Sequence, residues 1–156
     1  MASALEILNA ANMQFLRNVP AFVAPQTTGQ SIANAAVVTL IWQAPTTDTY
    51  SGWSAGSPTK YTPKVAGYYD VFGAISFTAN ATGNRDIVVQ KNSATVTQTN
   101  GLAATAADVS VVQVTAPLVF FNGSTDFVEI AVLQRSGGAL LTTGTSSLFT
   151  AKWVHA

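Results

Sequence analysis

From about residue 31 to the end of the chain, short runs of β-branched and aromatic residues alternate with clusters of Gly, Asn, Ser and Thr. In the run 65–77, Tyr69, Val71 and Ile75 fall on one face of a strand, because successive side chains point to opposite faces. Further strands are predicted at 35–42, 87–91, 109–121, 127–134 and 147–154. Strands at this spacing, with no helix between them, predict an all-β protein built as an antiparallel jelly-roll sandwich and exclude a parallel α/β fold.

The one good helix candidate is the segment 3–18. Ser3 and Glu6 have the spacing of a capping box. The residues that recur at three- and four-residue steps form one apolar face: Leu5, Leu8, Ala11 and Phe15. A free helix of about 15 residues is marginally stable in water, so we expect it to dock. It either packs on its own domain or anchors subunits to each other or to a larger body, and the sequence leaves both readings open.

The segment 19–30 is predicted to be an extended connector. Pro20 and Pro25 disfavour a helix and supply no hydrogen-bond donor for a central strand. The chain is therefore expected to divide into an N-terminal helical anchor with its connector arm, residues 1–30, and a jelly-roll domain, residues 31–156.

The chain is unusually poor in charge. Only 9% of its residues are charged, and seven basic residues balance seven acidic ones, whereas ~25% is typical of soluble proteins. A hydrophobic content of 48% at zero net charge excludes intrinsic disorder. A surface with so few charges is poorly protected against association, so the sequence predicts a specific oligomer that covers apolar surface.

Several partners and segments are not expected. The few cations form no cluster able to neutralise phosphates, which argues against nucleic acid. No apolar run approaches the ~20 residues of a membrane-spanning helix, and Glu6 interrupts the block that a secretory signal would need. With no cysteine, disulfides and thiolate metal sites are excluded.

The sequence offers little catalytic chemistry. His155 is the single histidine, and a metal cluster or catalytic triad would need it beside carboxylates or a nucleophile. The carboxylates are dispersed, and Asp126 is expected to stabilise a turn before a strand rather than bind calcium. Arg85 and Asp86, adjacent in sequence, are predicted to form a surface ion pair of small worth. We therefore expect no enzyme activity, no cofactor and no metal.

Tyr50 and Trp53 are the best candidates for ligand contact. They are flanked by Thr, Ser and Gly in a predicted loop, and aromatic rings stack on the apolar faces of sugars. Most of the other aromatic residues are expected in the core or in an interface.

The predicted strand 127–134 suggests where self-association occurs. If Val128, Ile130 and Val132 face the interior, the alternate residues face outward with Glu129 as their one charge. These predicted interface residues are Phe127, Ala131 and Leu133. Burying ~500 Å² of apolar surface per subunit would contribute on the order of 10 kcal/mol before the costs of association. The alternative is a second buried layer against the N-terminal segment.

Three motifs resemble strands of the TNF-like jelly roll that is shared with the complement globular heads: GYYDVF at 67–72, DFVEIAV at 126–132 and SLFTAKW at 147–153. The order of helix, proline-containing connector and turn motifs is similar to that of TNF-like virion proteins of tailed bacteriophages. The resemblance covers nearly the whole chain. It implies a homotrimer that uses its outer sheet around a threefold axis.

The resemblance further implies a role in a virion. The expected function is a non-enzymatic structural protein, a homotrimeric capsid decoration (cement) protein that is attached through its N-terminal arm to the major capsid protein or another virion protein. The alternative is a minor tail or receptor-binding protein that recognises host-surface glycan through its loops, with Tyr50 and Trp53 among the contacts.

Overall fold

Buried and exposed side chains alternate along the long strands and build a sandwich of two sheets. The computed structural model describes residues 18–101 and 109–156. Its strands are β1 (Ala21–Pro25), β2 (Ser31–Ile32), β3 (Val37–Thr39), β4 (Thr47–Asp48), β5 (Gly67–Phe77), β6 (Arg85–Lys91), β7 (Ala94–Gly101), β8 (Ser110–Phe121), β9 (Val128–Gln134) and β10 (Leu140–His155). The prediction of an all-β antiparallel sandwich is confirmed.

The larger sheet has the strand order β4-β1-β10-β5-β8, and β2 pairs with β10. The smaller sheet has the order β3-β9-β6-β7. All pairings between these strands are antiparallel. Within the described residues, no helix is long and apolar enough to cross a membrane.

The core lies between the two sheets and is rich in aromatic rings. Phe22 of β1 stacks on Tyr61 at 4.1 Å between ring centroids and meets Phe149 of β10 edge-on at 5.0 Å. The sheets approach closely at Gly73 of β5, where an added Cβ would lie 3.0 Å from Cδ1 of Ile130. A larger residue at this position would displace the Ile130 side chain by a few tenths of an ångström.

The prediction of a connector at 19–30, separate from the jelly roll, needs correction. Residues 21–25 form β1, which pairs with both β10 and β4. Phe22 and Ala24 have no exposed area. Pro20 precedes the strand and Pro25 ends it, so the two prolines that suggested a connector flank the strand and spare its interior ladder. The predicted helix and its apolar residues Leu5, Leu8, Ala11 and Phe15 lie outside the described residues.

Two glutamine side chains hold the segment after β1 against the rest of the sandwich. Gln26 is fully buried; its Oε1 accepts a hydrogen bond from the hydroxyl of Thr142 at 2.6 Å, and its amide donates to the Ile41 carbonyl at 3.2 Å. Gln30 accepts from the backbone N–H of Ile41 and donates to the carbonyl of Thr39. Since buried amides must find partners, these bonds fix the path from β1 to β3.

Candidate functional site: the outward face of the larger sheet

The outward face of the larger sheet is assembled from strands that are distant in sequence. The strand register brings four residues into one cross-strand row: Val23 of β1, Thr150 of β10, Phe72 of β5 and Thr115 of β8. A neighbouring row contains Pro25, Leu148, Ala74 and Gln113. Phe72 lies near the middle of this face and is half-buried in the single chain.

One end of this face carries a cluster of rings. Tyr68 lies between His155 and Phe120 in register. Its ring centroid is 4.7 Å from that of His155 and 5.4 Å from that of Phe120. Phe120 leaves 46% of its area exposed, and the ammonium of Lys91 lies 5.8 Å from its ring centroid.

The same face has few formal charges. Among the described strand residues that point outward from this sheet, the charged ones are Asp70 and Lys152, which are register partners on adjacent strands. Opposite charges that face each other across strands offset one another. The face is therefore close to neutral and combines aromatic, aliphatic and hydroxyl side chains.

The outward face of the smaller sheet is different, since its ionisable groups already have partners within the chain. Asp86 accepts hydrogen bonds from Arg135 at 3.0 Å and from the amide of Asn84 at 2.8 Å. Glu129 is 5% exposed and accepts a hydrogen bond from the hydroxyl of Thr59 at 3.1 Å. The charged groups of this face are thus satisfied within the chain, and its most exposed apolar side chain is Val37 of β3, at 59%.

The predicted ion pair between Arg85 and Asp86 does not form, and that prediction was wrong. Arg85 is fully buried and donates to the carbonyls of Asn80 and Thr82, both at 2.7 Å. Burial lowers the pKa of its guanidinium. The physical reason is strand alternation: neighbouring residues point to opposite faces, so Asp86 meets Arg135 while Arg85 holds the loop before β6.

The predicted interface residues on β9 and just before it have little exposed surface. Ala131 has no exposed area, because its short side chain lies between Thr39 and Val88 on the flanking strands. Ala131 lies on the outward side of its strand, but the flanking residues cover it in the single chain, and its role as a contact residue stays a prediction. Phe127 and Leu133 are partly buried, and the ammonium of Lys60 lies 4.1 Å from the Phe127 ring centroid. A role of these two residues in an interface stays a prediction.

Tyr50 and Trp53 lie in the same loop after β4. The carboxylate of Asp48 shapes this loop by accepting the backbone N–H groups of Gly52 and Trp53, both at 2.9 Å. The Trp53 ring packs against the core and its N–H points to the Pro58 carbonyl at 3.4 Å. Both aromatic side chains are half-buried, and their role in glycan contact stays a prediction.

The structure places Asp126 in the role expected for it. Its carboxylate accepts hydrogen bonds from the side-chain amide of Asn92 at 2.8 Å and the backbone N–H of Asn122 at 3.0 Å, and it pairs with Lys91 at 2.9 Å. The bond from Asn92, followed by that from Lys91, lowers the pKa of Asp126. Among the described residues, no group of three or more His, Cys, Asp or Glu side chains could hold a metal ion.

We expect the protein to lose stability in alkali because two of its tyrosines are buried. Burial raises the pKa of Tyr69 to about 12, and its hydroxyl donates a hydrogen bond to the Val65 carbonyl at 2.8 Å. Burial, with smaller contributions from Tyr69 and Asp48, also raises the pKa of Tyr61. Both hydroxyls ionise near pH 10 in the unfolded chain. The native state then binds more protons than the unfolded state, so the free energy of unfolding falls as pH rises above 10.

Urea unfolding at pH 9, 10, 11 and 12 measures this effect. We expect a constant free energy of unfolding up to about pH 10 and a decline above it, by up to ~1.4 kcal/mol per pH unit for each tyrosine. Tyr69→Phe should reduce the slope between pH 10 and 12. A free energy that does not change over that range would contradict the prediction.

Solved structures with the same fold support the topology. The chain is similar to murine APRIL (crystal structure at pH 5.0), with a TM-score of 0.66 and 12% identity over 87% of this chain and 99% of that one. It is similar to the PRD1 vertex protein P5, with a TM-score of 0.61 and 17% identity over 88% of this chain and 98% of that one.

A third similar structure is the Eiger TNF from S. frugiperda, with a TM-score of 0.60 and 16% identity over 90% of this chain and 96% of that one. No family model and no curated protein sequence matches the chain. At these identities the likeness shows the fold, a TNF-like jelly roll.

Proposed function

We propose that this protein is a non-enzymatic structural component of a virion, a homotrimer that decorates the capsid. The observation that carries this proposal is the contrast between the two outward faces of the sandwich. The face of the larger sheet is nearly uncharged and exposes aromatic and aliphatic side chains, whereas the ionisable groups of the smaller sheet are satisfied within the chain. A second copy of the chain is the simplest cover for the first of these faces.

Threefold self-association through the larger sheet accounts for its exposed side chains. Phe120 and Val111 on β8 are each 46% exposed, and Phe72 lies toward the middle of the same face. Covering such surface contributes about 25 cal/mol per Å². The motif resemblance to TNF-like virion proteins favours a trimer over other closed oligomers. This assignment moves the proposed interface from β9 to the larger sheet.

The likeness to a protein named a vertex protein supports a place on an assembled particle, as does the resemblance of the turn motifs to virion proteins of tailed phages. The attachment proposed here is through the N-terminal segment, to the major capsid protein or another virion protein. The chain enters β1 at the end of the larger sheet, where the backbone N–H of Trp153 donates to the Pro20 carbonyl at 3.0 Å.

The position at which the chain enters β1 affects how a trimer would bind a particle. In a trimer built on this sheet, three N-terminal segments would leave at equivalent positions. Linked binding sites raise the overall affinity far above that of a single arm. A modest apolar contact per arm is then sufficient for stable attachment.

The mass in solution tests the proposed self-association. Light scattering at several concentrations should give about three times the chain mass of 16.2 kDa. A mass equal to that of one chain at every concentration would overturn the proposal.

Substitutions on the apolar face of the N-terminal segment test the proposed attachment. Leu8→Asp in the full chain should weaken co-sedimentation with particles that lack this protein by about a hundredfold or more. The reason is that each of the three arms loses binding free energy, and these losses add. The trimer should remain. Ala10→Asp is the matched control, since residue 10 lies on the opposite face of the predicted helix from Leu8 and receives the same charge. Equal particle binding by both variants would contradict the anchoring role.

A further inference from the structure

Strand β8 contains a bulge at the outward face of the larger sheet. The register between β5 and β8 shifts between Tyr69 and Val71, so that Pro117 and Leu118 together lie opposite Asp70. The residues on either side, Ala116 and Val119, are buried in the core. An extra residue in one strand bends the ladder and redirects a side chain. Here it places Leu118 outside the sandwich.

Both the backbone conformation and the exposure of Leu118 are unfavourable in the single chain. Its φ of +51° lies in the left-handed region, where a residue with a Cβ is disfavoured and glycine is not. Its side chain is 52% exposed, so a large apolar group also faces water. Residues held in such conformations are concentrated where function requires them. Packing within the single chain does not explain a leucine at this position.

Asp70 holds the bulge in this conformation. Its Oδ1 accepts a hydrogen bond from the backbone N–H of Leu118 at 3.0 Å. Because the bulge leaves this N–H without a partner in the strand ladder, the carboxylate replaces the missing acceptor. Asp70 therefore sets the position of Leu118 through the backbone.

We propose that Leu118 is a main contact residue between copies of this chain, and that Asp70 is its positioning residue. This inference rests on the proposed self-association and specifies the part of the face that decides it. A second copy is the favoured occupant because the bulge is continuous with the aromatic part of this face: Phe120 lies two residues further along β8, and Tyr68 is in register with Phe120. The two charges of the face, Asp70 and Lys152, have opposite signs and are register partners. An apolar side chain at this place binds best to a surface that is itself apolar and uncharged.

The substitution Leu118→Gly separates the two properties of this residue. Glycine accepts the left-handed conformation, so the folded single chain should be at least as resistant to denaturant as the parent at concentrations where both are dissociated. The apolar contact is lost, so the association constant measured by sedimentation velocity over a dilution series should fall tenfold or more. Leu118→Asn is the second variant, because asparagine tolerates the left-handed region and keeps a side chain of similar size.

Controls make the result specific. Val37 of the smaller sheet is 59% exposed, more than Leu118. The substitution Val37→Asn removes this apolar side chain and should leave association unchanged. Asp70→Ala should weaken association, while Asp70→Asn, which keeps a carbonyl acceptor, should restore most of it. That rescue would not be seen if Asp70 acted only through its charge.

The outcomes distinguish this inference from the proposed function. If the parent associates and both Leu118 variants associate equally well, the role of Leu118 is refuted while the trimer stands. If the parent is a single chain at every concentration, the self-association itself is refuted and this inference with it. Selective weakening by the Leu118 variants, with Val37→Asn unaffected, supports both.

Discussion

Phe72→Glu should convert the associated protein into single chains without unfolding it. Phe72 lies near the middle of the outward face of the larger sheet, in one row with Val23, Thr150 and Thr115. In a trimer built on this face, the new carboxylate would be buried without a partner, which costs about 3–5 kcal/mol per charge. Three such groups would also repel one another. The association constant should therefore fall by more than a hundredfold.

Light scattering and sedimentation velocity measure this change, and the far-UV circular dichroism spectrum verifies that the fold is kept. The matched control is Val37→Glu, which introduces the same charge at an exposed apolar position of the smaller sheet. We expect Val37→Glu to keep the mass of the parent. A Phe72→Glu protein that still has three times the chain mass would exclude the larger sheet as the interface.

Phe22→Ala should strongly destabilise the fold, because β1 belongs to the sandwich. The Phe22 ring is fully buried between Tyr61 and Phe149, with centroid distances of 4.1 and 5.0 Å. Removing a buried phenylalanine side chain leaves a cavity and typically costs about 3–5 kcal/mol. We expect a loss of that size in the free energy of unfolding measured with urea.

The neighbouring residue provides the control. Val23 follows Phe22 in β1 but points to the outward face and is only half-buried, so Val23→Ala should cost about 1 kcal/mol or less. Both substitutions are best compared in the Phe72→Glu background, where association does not contribute to stability. A loss below about 1 kcal/mol for Phe22→Ala would show that 21–25 is a detachable connector.

The long strands could be predicted from sequence because their signal is local. The predicted runs 65–77, 109–121 and 127–134 correspond closely to β5, β8 and β9. In each of them apolar residues repeat with the two-residue period of a strand. The class of fold follows from these strands and from the turn clusters between them.

Other strands carry no such signal. β7 (Ala94–Gly101) is rich in threonine and lies at the edge of the smaller sheet, so its residues show little apolar alternation. β1 was interpreted as a connector because of its flanking prolines. Each of these strands is identified by its pairing with β6 or β10, and pairing partners far apart in sequence are not encoded in the local pattern.

The sequence by itself determined that this is a two-faced, all-β chain with too little charge for a fully solvated surface, since both properties depend only on residue type and short-range period. The tertiary structure alone decided which face is open. Alternation assigns Ala131 and Phe72 equally to the outward sides of their strands, yet flanking side chains cover Ala131 completely while the row around Phe72 stays accessible. Burial depends on what neighbouring strands place beside a residue, and those neighbours come from distant parts of the chain.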